Sequence, residues 1–258
     1  MNARRCTLGL AAALLLLAGC GGDDERRLTP PPPPDYLPND SPENLVANLT
    51  LAWEAEDAAG YAALLYDGVL EADDGEVYAP FTFYFDQSVD PDLPDQYLYA
   101  QEVACLENLL SGEPGDGVPG VRSVSMDLVA NGTWQTVVGG EVEGDPCPEN
   151  TQWRAFETDL LVTLKTNIGY SDINQWLVQD RLLVHCLPVL VAGETEWRLW
   201  KWRDLIELRA GESSLGTVKA RYGPTGRESG TVEDASLGGI KVLYASAGRQ
   251  TASRQGSR

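Results

Sequence analysis

The stretch SPENLVANLTLAWEAEDAAGYAALL, Ser41 to Leu65, reads as two short helices laid end to end. Ser41 suits an N-cap, and Pro42 suits the first helical position, where a missing N–H costs nothing. Leu45, Leu49, Ala52 and Trp53 recur at helical spacing with Val46 beside them, which makes one apolar stripe. Asp57 is placed to cap the second helix, whose stripe is Tyr61, Leu64 and Leu65. Short helices gain most of their stability from burying such a face, so the rest of the chain must supply the surface beneath it.

That surface is predicted to be a sheet. Val77 to Asp86 alternates, with Phe81, Phe83 and Phe85 on one face and Thr82, Tyr84 and Asp86 on the other. The loop from Gln87 to Gln96 carries Asp90, Asp92 and Asp95, but it lacks the register of a calcium loop and reads as solvated. Tyr97 to Leu110 is predicted as a third helix with Tyr99, Val103, Leu106 and Leu110 as its stripe and Cys105 beside it. Val121 to Val129 alternates as a strand, Asn131-Gly132 is a hairpin signal, and a short piece follows at Trp134 to Val138. Three long strands are expected at Gln152–Lys165, Gln175–Leu187 and Glu196–Leu208, and their short connections predict an antiparallel meander. On the last, Trp200 and Trp202 share one face, and Trp197 and Leu199 the other.

The ends have a different character. Of 258 residues, 19 are Lys or Arg and 39 are Asp or Glu, a net charge of −20. That balance excludes a nucleic-acid partner, which needs clustered cations, and argues against lying flat on an anionic membrane. Arg4 and Arg5 precede a short apolar run, Thr7 to Leu17, too short to span a bilayer. Leu17-Ala18-Gly19-Cys20 then resembles the lipobox of bacterial lipoproteins. The resemblance implies cleavage after residue 19, a diacylglycerol on Cys20 and a bilayer as partner through that anchor. With no Asp after Cys20, it also implies the outer membrane, if the organism has one. Residues 20–40, with the run Pro30 to Pro34, form a semi-rigid linker. Residues 209–258 are rich in Gly, Ser, Thr and charge and are expected to be mostly disordered, apart from an island at Leu237 to Tyr244 that is able to dock.

Between the ends, over about residues 41 to 208, helix, helix, strand, helix and long strands follow in order. With Ala52-Trp53, Asp57, Tyr61 and Leu64-Leu65 at the start and Trp197 to Asp204 at the end, the chain resembles the nuclear-transport-factor-2-like domain, also called the cystatin-like cone. Ketosteroid isomerases and polyketide cyclases share that fold. The resemblance implies an α+β cone in which a curved antiparallel sheet wraps the N-terminal helices and leaves a pocket at its open end.

Chemistry in such a pocket requires an acid tuned by apolar neighbours. Asp180 and Asp204 are the strand acids in phase with the apolar face, each with an Arg close in sequence that would pair with it. Tyr61, Phe83, Phe85, Trp200 and Trp202 are the candidate pocket residues. His185, the one histidine, has no metal-ligand companion at suitable spacing, and no cofactor motif is present. Three functions compete. One is a non-catalytic envelope domain binding a small apolar ligand or a protein. Another is an isomerase- or cyclase-like enzyme. The third is an interaction module, homodimeric through its sheet, with a filled pocket. A disulfide, if formed, is expected between Cys147 and Cys186. The anchor is tested directly: Cys20→Ser is expected to release the protein from membranes and abolish acyl labelling, and undiminished labelling would falsify the assignment.

Overall fold

The computed structural model describes residues 34–87, 91, 93–115, 118–165, 173–205 and 231–245. Cys20, Asp90, Asp92, most of the proline linker, and the tail at 209–230 and 246–258 lie outside the described residues.

The protein is α+β, with few helices and a strongly curled sheet. Helices α1 (Pro42–Glu54) and α2 (Ala58–Leu64) form as their caps dictate: Ser41 Oγ accepts the Asn44 N–H at 3.2 Å, and Asp57 Oδ1 accepts the Gly60 N–H at 2.8 Å. Leu45, Leu49, Ala52 and Trp53 are buried, and each such leucine contributes about 1.5–3 kcal/mol by leaving water. Strands β1 (Thr82–Tyr84) and β2 (Gln96–Leu98) precede α3 (Tyr99–Leu110). Strands β3 (Val121–Thr136), β6 (Gln152–Leu164), β7 (Ile173–Val178), β8 (Arg181–Val191) and β9 (Glu194–Leu205) make the main sheet. A small hairpin of β4 (Glu141–Val142) and β5 (Asp145–Pro146) stands apart. Strand β10 (Thr231–Asp234) and helix α4 (Leu237–Ala245) complete the described residues.

The sheet order is β10-β7-β6-β8-β9-β1-β2, with β3 on the other edge of β6. The meander β6, β7 with β8, and β9 is antiparallel, as its short connections require. Two pairings are parallel, β1 with β9 and β10 with β7, so the sheet is mixed rather than wholly antiparallel. Both join segments far apart in sequence, where no hairpin fixes direction. The long strand expected at Gln175–Leu187 breaks after Val178, so that β7 and β8 lie in succession along one edge of β6. Asn131-Gly132 makes no hairpin: β3 runs through it with a register shift, because both flanks pair with β6.

Two boundaries and one helix face differ from the sequence reading. Residues 36–39, expected to belong to the linker, dock on the domain. Asn48, fully buried on α1, accepts the Leu37 N–H at 2.8 Å and donates to Leu37 O at 2.7 Å and Asn39 Oδ1 at 2.8 Å. At the other end, the island expected at Leu237 to Tyr244 docks as a helix, and Thr231–Asp234, expected to be loose, forms a strand. The stripe of α3 is also rotated: Glu102, Cys105, Leu106, Leu109 and Leu110 are buried, while Tyr99 and Val103 are only partly so.

Among the described residues Cys105, Cys147 and Cys186 are free buried thiols. Cys186 belongs to the main core and Cys147 to a second cluster with Tyr66, Leu187, Val189 and Trp200. Cys186 and Leu187 are neighbours on β8 and face opposite sides of the sheet, so the expected Cys147–Cys186 bond has the sheet between its halves. Asn48→Ala removes three of the hydrogen bonds that dock residues 36–39, and a cost of about 1–3 kcal/mol is expected. Urea unfolding with proteolysis at 34–40 checks it; an unchanged midpoint and unchanged cleavage refute it.

Candidate functional site

The candidate site lies on the inner face of the curled sheet, where α4 meets α3, β1, β7 and β9 and shares Glu102 with α2. Its centre is ionic. Glu102 on α3 and Lys241 on α4 are both fully buried, and Lys241 Nζ lies 2.6 Å from Glu102 Oε1. The Tyr61 hydroxyl donates to the same oxygen at 2.6 Å. Burial first, then the Glu102 charge, pushes the Tyr61 hydroxyl well above its ordinary pKa, so it remains a donor. The Lys241 ammonium also stands 3.4 Å from the Phe83 ring centroid and 5.0 Å from that of Trp202. Among the described residues Glu102 Oε2 has no hydrogen-bond partner, and neither has the indole nitrogen of Trp202.

The rim of this interior carries Asp180 and Asp204. Asp180 falls at the break between β7 and β8, and Asp204 is on the inner face of β9. Helix α4 sets its first turn on both: the Leu237 N–H donates to Asp180 Oδ2 at 2.9 Å and the Gly238 N–H to Asp204 Oδ2 at 3.1 Å. These are the amide groups a helix N-terminus leaves unpaired. The expected Arg partners do not decide these carboxyls. Burial raises Asp180 to about 6, with the Leu237 N–H opposing and Asp86 adding. Burial, then the Asp180 charge, raises Asp204 to about 8 against the Gly238 N–H and Lys241. Asp204 Oδ1 has no hydrogen-bond partner among the described residues.

Helix α4 is held along its length. Ser236 Oγ caps it by accepting the Gly239 N–H at 3.0 Å. Cys105 Sγ donates to Lys241 O at 3.0 Å, Asn108 to Tyr244 O at 3.2 Å, and the Tyr244 hydroxyl to Pro119 O at 2.6 Å. Gly238 is where helix and sheet touch most closely: a Cβ there would stand 2.7 Å from the Phe85 ring and 3.3 Å from Asp204 Oδ2.

Of the residues expected to line a pocket, Tyr61, Phe83, Phe85 and Trp202 share the main core, where they are buried against α4 and one another rather than around open space. Trp200 is elsewhere. The ladder between β8 and β9 slips at His185/Cys186, pairing Leu199 with Cys186 and Lys201 with His185. Trp200 is the extra residue, and it turns to the opposite face from Trp202. There its indole donates to Ala79 O at 2.7 Å, and Lys201 lies 4.8 Å from its ring centroid while bonding Asp145, Tyr84 and Thr82. His185 is on that face too. Burial and the charges of Arg203 and Lys201 lower its pKa to about 4, so it stays neutral. Among the described residues no cluster of three or more His, Cys, Asp or Glu is placed to hold a metal.

Sequence reasoning missed Glu102 and Lys241. The signal for both was positional: Glu102 stands one helical turn before Cys105 and Leu106, and Lys241 stands between Leu237 and Tyr244 on one stripe. An open groove of about 450 Å³ lies elsewhere, between α1 and strands β3 and β6, lined by Val46, Thr50, Leu128, Trp134, Arg154 and Phe156.

No family model matches the chain, and no curated protein matches it. Solved structures do resemble it. A candidate aromatic ring hydroxylase from Novosphingobium aromaticivorans aligns at 9% identity over 67% of this chain and 90% of its own, with a TM-score of 0.40. A candidate dehydratase of the nuclear-transport-factor-2-like family from Streptomyces avermitilis aligns at 14% identity over 64% and 92%, with a TM-score of 0.36. A domain of unknown function with a cystatin-like fold, from Nostoc punctiforme, aligns at 10% identity over 83% and 91%, with a TM-score of 0.35.

The raised carboxyls make stability depend on pH. The folded protein retains protons that an unfolded carboxylate releases near pH ~4, and it gives them up at about pH 6 and 8. Stability is therefore expected to fall as pH rises through that window, by up to about 1.4 kcal/mol per pH unit for each retained proton. Asp204→Asn, which mimics the protonated form, is expected to flatten the profile. Denaturant unfolding across the window checks this, and a variant profile as steep as that of wild type refutes it.

Proposed function

We propose that this chain is a lipid-anchored protein of the bacterial envelope with a nuclear-transport-factor-2-like cone as its working domain. The cone is a binding module, not a centre of turnover, and its own C-terminal helix closes it. The observation that carries the reading is Lys241 seated on Glu102 while Asp180 and Asp204 both accept α4 amides. A catalytic acid must reach substrate, and these acids are covered by a segment of the same chain. The anchor rests on the Cys20 motif alone, and the outer membrane on the residues after it. The fold name rests on helix-first order and a curled sheet with its core on the inner face.

A second reading has one observation in its favour. An Asp204 carboxyl raised by apolar surroundings is what an isomerase- or cyclase-like site would use, once α4 had left.

Gly238→Ala tests the closure, because the added methyl meets the Phe85 ring and crowds Asp204 Oδ2 without removing any polar group. In the full chain, amide exchange at 237–245 is expected to be slow in wild type and much faster in the variant, with the sheet amides unchanged. Fast exchange of α4 in wild type would sink the closed-cone reading. Turnover of a ketone or polyketide-like compound by Gly238→Ala, lost when Asp204→Asn is added, would replace it with the enzyme reading.

A further inference from the structure

We propose that the cage around Lys241 is a receptor for a linear α,ω-diammonium ligand, whose place the tail's own lysine and helix N-terminus now take. The proposal rests on the reading that α4 closes the cone, and adds that a ligand of the right charge displaces it.

The cage has the chemistry of an ammonium site. One wall is the Glu102 carboxylate, and Phe83 and Trp202 present their rings to the cation. Aromatic faces attract a desolvated cation, and the attraction grows when water is excluded. The occupant must be charged, because a fully buried carboxylate left alone costs several kcal/mol. The group that now fills the cage is slim, the ammonium end of a fully buried four-carbon stem over the Phe83 and Trp202 rings. Lys241 does not use the whole site: it bonds Oε1, and Glu102 Oε2 is left buried without a partner among the described residues. An ammonium carries three donors, and one not tied to a helix is free to reach both oxygens.

The second charge follows from the rim. When α4 leaves, Asp180 and Asp204 lose the Leu237 and Gly238 amides together. A monoamine in the Glu102 cage would leave that pair of acids without donors, and a second ammonium supplies them. Gly238 and Lys241 are three positions apart on α4, about 4.5 Å along a helix axis. A chain of about four or five carbons between two ammonium groups is on that scale once the lysine stem is added. The net charge of −20 draws cations toward the protein. The tethered helix competes at the high effective concentration of an intramolecular partner, so a free diamine binds only as far as it outcompetes α4.

The test uses the full-length protein, 1,4-diaminobutane, n-butylamine and 1-butanol. In wild type, 1,4-diaminobutane is expected to speed amide exchange at 237–245 by about tenfold at saturation, n-butylamine less, and 1-butanol not at all. In Lys241→Ala, which leaves Glu102 without its cation, both amines are expected to raise the thermal midpoint and the alcohol to leave it unchanged. Adding Glu102→Gln is expected to abolish that rescue. The receptor proposal is overturned if α4 exchange in wild type does not respond to diamine, whether or not Lys241→Ala folds or is rescued. It is likewise overturned if 1-butanol acts as well as the amines, since the cage then selects apolar bulk rather than charge. The closure reading fails separately, by fast exchange of α4 in wild type before any ligand is added.

Discussion

A carboxylate with no exposure to solvent has to be neutralised or hydrogen-bonded where it stands, and Glu102 sets that demand at the centre of this domain. Tyr61 meets part of it from α2, and Lys241 meets the rest from the far end of the chain. One side chain therefore makes the last described helix answerable to the third. Apolar burial would hold α4 against the sheet in several registers. The ion pair, the Gly238 contact with Phe85 and the two aspartates on the first turn admit one. A buried pair of this kind adds less stability than a well-packed apolar pair of the same size would, so its contribution lies in fixing the register.

Two irregularities in the sheet put the other groups where α4 finds them. The break between β7 and β8 leaves Asp180 outside both ladders, with its carboxyl turned to the helix. The slip at His185/Cys186 reverses the alternation along β9, which keeps Trp202 and Asp204 inside and sends Trp200 to the opposite face. Without that slip, Trp200 would compete with Trp202 for the interior, and Lys201 would lack the ring it lies against. Bulges are common where a sheet has to redirect a side chain, and here one bulge decides which tryptophan touches the cage.

The sequence by itself determined a good deal. Capped amphipathic helices at Ser41 and Asp57, the alternation of Phe81, Phe83 and Phe85, and the long alternating strands are local patterns with periods of 3.6 and 2, and each was legible because its cause lies within a few residues. The sheet and its main buried face followed from them, and its curl from the family resemblance. The placement of Asp204 with Trp202 was legible for the same reason. What only the tertiary structure decided depends on residues far apart in the chain. Tyr61, Glu102 and Lys241 have no sequence pattern in common, because an ion pair leaves no periodic trace. A strand slip is a property of two ladders at once, so Trp200 could not be sorted from Trp202 by alternation on one. The aspartates sit high in pKa rather than low because burial under α4 and, for Asp204, the nearby Asp180 charge outweigh the helix amides that oppose the rise. Local chemistry wrote the elements, and contacts between distant segments decided what the interior holds.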